Sequence, residues 1–134
     1  MEARVTLNTS FNNGQIDSRI FSGFLEHLGR SIYGGVYDPD NGHSNDEGIR
    51  TDVAEDMTGM NMPFVRYPGG NFVSNYDWRD GVGPDRNPFP DFAWKTTEPN
   101  TFGTDEFMKW CKLVGTEPMM AVNLGTLGPV EAAA

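Results

Sequence analysis

The stretch Arg66-Tyr-Pro-Gly-Gly-Asn-Phe-Val-Ser74 puts a guanidinium, two glycines and an amide at the end of an apolar run, a set suited to holding a polar ligand. Pro63-Phe-Val reads as a short buried strand. An arginine at its exit needs carboxylate or carbonyl partners, because a buried, unpaired guanidinium is strongly unfavourable. Gly69 and Gly70 permit a tight turn and close backbone approach, leaving Asn71 with donor and acceptor aimed above the strand. A second polar cluster, Glu26-His27, ends the run Ile20-Phe-Ser-Gly-Phe-Leu. Without further context, Glu26, Arg66 and Asn71 fit either a ligand site or a structural ion pair with an ordered amide.

The elements that must position these residues follow from the pattern. Val5-Thr-Leu, then Asn12-Asn13-Gly14, predict a small hairpin over residues 1–16. Ile20 to Glu26 is nearly all apolar or small, as in a parallel strand covered on both faces. Ser44 and Glu47 are spaced as a capping box, and Ile49, Val53, Met57 and Met60 recur at helical intervals, predicting a helix from about Asn45 to Gly59. The proline-rich segment from Phe72 to Phe102 is long for a connection and is therefore functional or disordered, with Trp78 and Trp94 favouring order. Thr104-Asp-Glu caps a helix with the apolar stripe Phe107, Trp110, Cys111 and Val114, stopped by Gly115. Pro118 to Leu124 is a third strand, and Pro129 begins another helix.

Strand, helix, strand, helix, strand and helix start in succession predict right-handed parallel units of the α/β class. Glu26-His27, Arg66 to Asn71 and Asn123 all fall at carboxyl ends of strands, where α/β barrels and open sheets place their sites. A (β/α)8 barrel takes about 250 residues, so the three strands and two to three helices expected over residues 17–134 would be under half of one, and a fragment is expected.

Composition narrows the partners. Nineteen acidic against ten basic residues give a net charge of −9, which disfavours nucleic acid and anionic membrane surfaces. No apolar run reaches the roughly 20 residues of a membrane helix, and Met1-Glu-Ala-Arg-Val lacks the features of a signal peptide, so the expected location is cytoplasmic. One cysteine rules out an internal disulfide. Two histidines and one cysteine give no zinc constellation, and Asp38-Pro-Asp-Asn-Gly42 fits an Asx turn better than a calcium loop. No cofactor is expected. His27 reads as an orienting or packing group rather than a general base, and Cys111 as a small core residue. Trp78 fits a hydrophobic plug or a ligand contact equally well.

Phe24-Leu-Glu-His-Leu-Gly-Arg30, Tyr33-Gly-Gly-Val-Tyr-Asp38, Arg66 to Ser74, Asp80-Gly-Val-Gly-Pro84, Ala93-Trp94-Lys95, Gly103 to Met108 and Ala121 to Thr126 together resemble glycoside hydrolase family 51. The likeness spans nearly the whole chain in order. It implies a (β/α)8 barrel packed on a C-terminal β-sandwich that the N-terminal hairpin would join. It further implies a retaining α-L-arabinofuranosidase acting on terminal residues of arabinan or arabinoxylan oligosaccharides, often hexameric. The alternatives are a related β-glucanase or β-xylosidase, and a non-catalytic sugar-binding module. Positions matching Glu26, Arg66 and Asn71 line the furanose pocket in the family, and the position matching Trp94 flanks it. Retaining glycosidases use two carboxyl groups about 5 Å apart; the family's acid/base and nucleophile glutamates fall beyond Ala134. No catalytic residue is therefore assigned, and Glu26 is expected to bind substrate while the chain alone is inactive. Asp85 to Phe92 is shorter than the family pattern, and Asn75 replaces a common glycine.

Overall fold

The computed structural model describes residues 2–92 and 94–134. In chain order these form β1 (Gly23–Phe24), α1 (Thr51–Gly59), β2 (Phe64–Tyr67), β3 (Phe89–Asp91), β4 (Thr96–Glu98), α2 (Thr104–Val114), β5 (Glu117–Met120) and α3 (Pro129–Ala132), with 3-10 turns at Ser18–Phe21, Phe72–Asn75 and Trp78–Gly81. Met1 and Ala93, which fall in stretches named above, lie outside the described residues.

The order β1-β2-β5 makes a parallel three-stranded sheet, with Gly23 opposite Val65 and Phe64 to Tyr67 opposite Glu117 to Met120. This mixed α/β arrangement follows from residue alternation in β2. Val65 and Tyr67 are buried on one face and Phe64 and Arg66 half-buried on the other. On the buried face Tyr67 stacks on Phe107 of α2 at 4.5 Å between ring centroids, and Phe107 lies 6.1 Å from Trp110. Each large side chain buried here contributes roughly 1.5–3 kcal/mol. The α2 stripe is the predicted one: Phe107, Trp110, Cys111 and Val114 are all buried. Gly115 ends it in the left-handed conformation (φ +78°), and its N–H bonds Cys111 O at 2.9 Å.

Several expectations shift. Among the described residues 2–16, no hairpin of the kind expected over residues 1–16 is formed. Residues 2–16 have no strand and are exposed, with the Asn8 and Asn12 side chains accepting from Ser10 N and Gly14 N at 2.9 Å and Phe11 N donating to Asn8 O at 2.9 Å. Val5, Leu7 and Ile16 are 82%, 91% and 71% exposed, and a lone two-stranded pair with no covering layer is marginal. The strand expected from Ile20 contracts to Gly23–Phe24, because Asp17 caps a 3-10 turn over Ser18–Phe21. The α1 helix begins at Thr51 rather than about Asn45. Ser44 Oγ donates to Asp38 O at 2.5 Å instead of capping, and Asn45 Oδ1 takes Glu47 N and Ile49 N at 3.0 and 2.9 Å, closing a loop where helix was expected. On α2 the N-cap is Gly103 rather than Thr104, its N–H donating to Glu106 Oε2 at 2.8 Å.

The third strand stops at Met120. Ala121 N still bonds Tyr67 O at 2.7 Å, but the next residue of the β2 chain is Pro68, joined by a cis peptide and without an N–H to extend a ladder. Met119, Met120, Val122 and Leu124 stay 41–65% exposed.

The described residues between Phe72 and Phe102 are tied down by hydrogen bonds and ring packing. Arg86 donates to Gly83 O at 2.7 Å, Asn100 O at 3.1 Å, both Glu106 oxygens at 2.9 and 3.1 Å, and Gly81 O. Phe72, Tyr76 and Phe89 rings pack at 4.7–6.2 Å beneath the antiparallel β3–β4 hairpin. Trp78 is half-buried, its indole N–H bonding Glu131 O of α3 at 3.0 Å.

Candidate functional site

The carboxyl end of β1 delivers Glu26 directly beside the loop that leaves β2. Leu25 N bonds Arg66 O at 2.8 Å and His27 N bonds Pro68 O at 3.3 Å, so the two segments stay in register past the last paired residues. The Glu26 carboxylate is half-buried and takes backbone N–H bonds from Gly70 at 2.9 Å and Phe72 at 3.2 Å, both on Oε1. Oε2 is the oxygen left for a ligand. This approach depends on Gly69: at φ +141° a Cβ there would stand 2.2 Å from Glu26 Cγ.

Arg66 lies on the same side of the sheet as Phe24, its guanidinium 5.3 Å over the Phe24 ring. One terminal nitrogen donates to Gly69 O at 3.3 Å, while buried Nε has no partner among the described residues. Among the described residues Arg66 and Glu26 form no salt bridge with each other, so the structural ion pair is not what holds them. Arg66 keeps unspent donors and Glu26 an unspent acceptor at adjacent strand ends, an arrangement a polyhydroxylated ligand satisfies. Asn71 sits between the two residues whose N–H groups hold Glu26 and is exposed.

Trp94, 37% exposed, lines a cavity of about 420 Å³ together with His27, Leu28, Gly29, Tyr33 and Glu98. Its indole thus faces the segment immediately following Glu26. Glu26, Arg66 and the Asn71 loop are brought together through β1 and β2, whereas Trp94, carried by the β3–β4 hairpin, lines a cavity that reaches His27 to Gly29 and includes none of the three. Asn123 belongs elsewhere: its amide is spent on Tyr76 O at 3.2 Å, Thr126 Oγ1 at 2.9 Å, and the N–H groups of Gly125 and Thr126 at 2.9 and 3.0 Å.

Beneath the cavity lies a buried polar network that sequence reasoning reached only at His27. Glu98 Oε2 is 3.0 Å from His27 Nδ1, and Glu98 Oε1 accepts from Asn100 N at 2.8 Å and from the Tyr33 hydroxyl. His27 Nε2 is 2.9 Å from Tyr67 OH. Burial, reinforced by the bond to Glu98, pushes the Tyr33 phenol well above the ordinary tyrosine range, and burial does the same at Tyr67. His27 is the orienting group expected, its ring stacked on Phe72 at 4.3 Å. Glu98, in the run Thr96-Thr-Glu-Pro-Asn100, carries no local signal of this role; the histidine that pairs with it is 71 residues away.

Residues 56–133 match the model of the alpha-L-arabinofuranosidase 1 domain. Over 133 residues the chain is 53% identical to an intracellular exo-alpha-(1->5)-L-arabinofuranosidase of Acetivibrio thermocellus, covering 98% of this chain and 26% of that protein. It is 54% identical over 114 residues to alpha-L-arabinofuranosidase C of Emericella nidulans, covering 84% of this chain and 23% of that protein. Among solved structures, the GH51 arabinofuranosidase from Xanthomonas axonopodis pv. citri superposes with a TM-score of 0.85 at 38% identity, over 92% of this chain and 26% of that one. The thermostable GH51 alpha-L-arabinofuranosidase from Thermotoga petrophila gives 0.83 at 47% identity, over 85% and 24%. The chain spans about a quarter of the length of these relatives.

Proposed function

Because the chain belongs to the alpha-L-arabinofuranosidase 1 domain family, we propose that it supplies the first three β/α units of a (β/α)8 barrel in a retaining α-L-arabinofuranosidase, with residues 17–134 in the barrel and residues 1–16 packing on a β-sandwich. The reaction is hydrolysis of terminal non-reducing α-L-arabinofuranosyl residues from arabinan or arabinoxylan oligosaccharides. The names of the relatives support this reading, and one observation in the chain carries it: Glu26 is clamped by two backbone N–H groups on one oxygen while Arg66 beside it retains donors. In that pocket Glu26 Oε2 accepts from sugar hydroxyls, Arg66 and Asn71 donate to ring substituents, and the Trp94 indole packs on a sugar face.

The chemistry of retention needs an acid/base and a nucleophilic carboxyl about 5 Å apart. Glu26 is spent on binding and Glu98 is saturated with donors, so neither takes these roles here, and the 134-residue chain alone is inactive. Cytoplasmic location is supported by the relative named intracellular and by the single cysteine. Homo-oligomerisation, up to a hexamer, is the family expectation, and light scattering reads it.

The test is titration of the ¹⁵N-labelled chain with L-arabinose, D-xylose and D-glucose. Shifts of the Gly70 and Phe72 amides with arabinose, absent in Glu26→Ala, are expected. A stronger response to xylose or glucose transfers the reading to a β-xylosidase or β-glucanase. Release of arabinose from an aryl arabinofuranoside by the isolated chain overturns the assignment of Glu26 as a binding group only.

A further inference from the structure

We propose that Glu98 is a positioning residue, tying through His27 the loop that holds Glu26 to the hairpin that carries Trp94. The inference rests on the sugar-site reading above and adds to it a residue that touches no substrate.

Three observations carry it. First, β4 is exposed at Thr96 and Thr97 and buried at Glu98, which together with Asp91 of β3 is where the Trp94 hairpin enters the interior. Its donors come from His27 at the end of β1, Tyr33 in the following loop, and Asn100 just past β4. Second, the His27 ring is set at both edges and one face: Glu98 at Nδ1, the Tyr67 hydroxyl at Nε2, and Phe72 stacked at an interplanar angle of 17°. Phe72 in turn contributes one of the two N–H groups on Glu26. Third, an apolar residue of similar volume stabilises such a position as well as or better than a buried carboxylate–histidine pair, so stability alone does not account for it.

The geometry fixes one proton. A carboxylate at Glu98 only accepts, so His27 Nδ1 carries the proton of that contact, while Nε2 lies 2.9 Å from a Tyr67 hydroxyl that also has Phe102 O within reach at 3.3 Å. In Glu98→Gln the Asn100 N–H still demands an acceptor at the Oε1 position. The new NH2 group therefore faces Nδ1. The ring answers by carrying its proton on Nε2, facing the Tyr67 oxygen, whose O–H donates to Phe102 O as it does in the parent at 3.3 Å. Position is retained and the tautomer is exchanged. In Glu98→Leu the volume remains and every link is lost.

The experiment is NMR of the histidine ring nitrogens, the Gly70 and Phe72 amides and arabinose affinity, with Trp94 emission, on the 134-residue chain and both variants. Expected is a protonated Nδ1 in the parent, an Nε2–H tautomer in Glu98→Gln with most of the affinity kept, and displaced Gly70, Phe72 and Trp94 signals in Glu98→Leu. Arabinose binding in Glu98→Leu weakens by at least about tenfold, the scale of a lost buried charged hydrogen bond. An unprotonated Nδ1 in the parent overturns the proposal, as does Glu98→Leu with those signals and the affinity unchanged. Should Glu98→Leu not fold, the parent and Glu98→Gln tautomers decide. A parent chain that ignores arabinose removes the sugar reading alone, because the ligand-free signals test the coupling separately.

Discussion

Replacing Gly69 by alanine tests how Glu26 is held. A Cβ at that position stands 2.2, 2.7 and 2.8 Å from Glu26 Cγ, Cδ and Cβ, on a backbone whose φ of +141° side-chain-bearing residues rarely adopt. The backbone strain is of order 1–3 kcal/mol. To clear the overlap Glu26 must swing away and release the N–H groups of Gly70 and Phe72. Hydrogen bonds to a charged group contribute about 1.5–3 kcal/mol each, and the half-burial of Glu26 places these at the lower end. Together the cost is about 5 kcal/mol, which for a chain of this size lowers Tm by roughly 15–25 °C. Glu26→Ala removes Cγ and Cδ, so in that background Gly69→Ala meets chiefly the backbone strain, about 2 kcal/mol. A double-mutant cycle by urea unfolding is therefore expected to give a coupling of about 3 kcal/mol, with Gly69→Ala cheaper when Glu26 is already alanine. Additivity within about 0.5 kcal/mol refutes the packing of Glu26 on Gly69 as the reason for glycine there.

Three further outcomes are expected. Arg86→Ala removes donors to three carbonyls and to Glu106, and should cost about 2–3 kcal/mol by thermal denaturation. Amide exchange should rise across Gly81 to Asn100 while that around Trp110 holds. The Cys111 thiol, pushed up to about 12 by burial, should resist alkylation at pH 8 until the chain is unfolded in urea, and fast native labelling would contradict its place in the core. All four tyrosines, Tyr33, Tyr37, Tyr67 and Tyr76, have phenols raised above the ordinary value, with burial the largest cause. A folded pKa above the unfolded value near 10 contributes stability that is complete below pH 10 and lost as pH rises through the folded value. Phenolate absorbance should therefore appear together with loss of circular dichroism above about pH 10, and a separate, non-cooperative titration in the folded chain would refute the burial of these rings.

What was legible in the sequence is what local chemistry decides. The α2 stripe, the Gly115 stop and the apolar β2 run are set by short-range periodicity and backbone preference, and they stand as expected. The loop from Arg66 to Asn71 was legible because charge and glycine together are costly in a packed strand end. The start of α1 was not, since the Ser44 and Asn45 side chains serve a loop as readily as a helix cap, and contacts to Asp38 and Ile49 tip the choice. The N-terminal hairpin failed for a tertiary reason: Val5 and Leu7 have the right alternation and no surface to cover them. Glu98 was invisible because its meaning lies in His27 and Tyr33, which the chain brings to it only after two strands and a helix have packed.

The sheet edges and the N-terminal segment leave Val5, Leu7, Phe24, Met119 and Leu124 turned to solvent. What disperses such a surface at neutral pH is the net charge of −9, spread over nineteen carboxylates against ten basic groups. Acidification titrates that repulsion away while leaving the apolar side chains where they are. The molecule is thus a colloid stabilised by its carboxylates, whose solubility falls as pH approaches the range in which they protonate and as salt shortens the reach of the charges that remain.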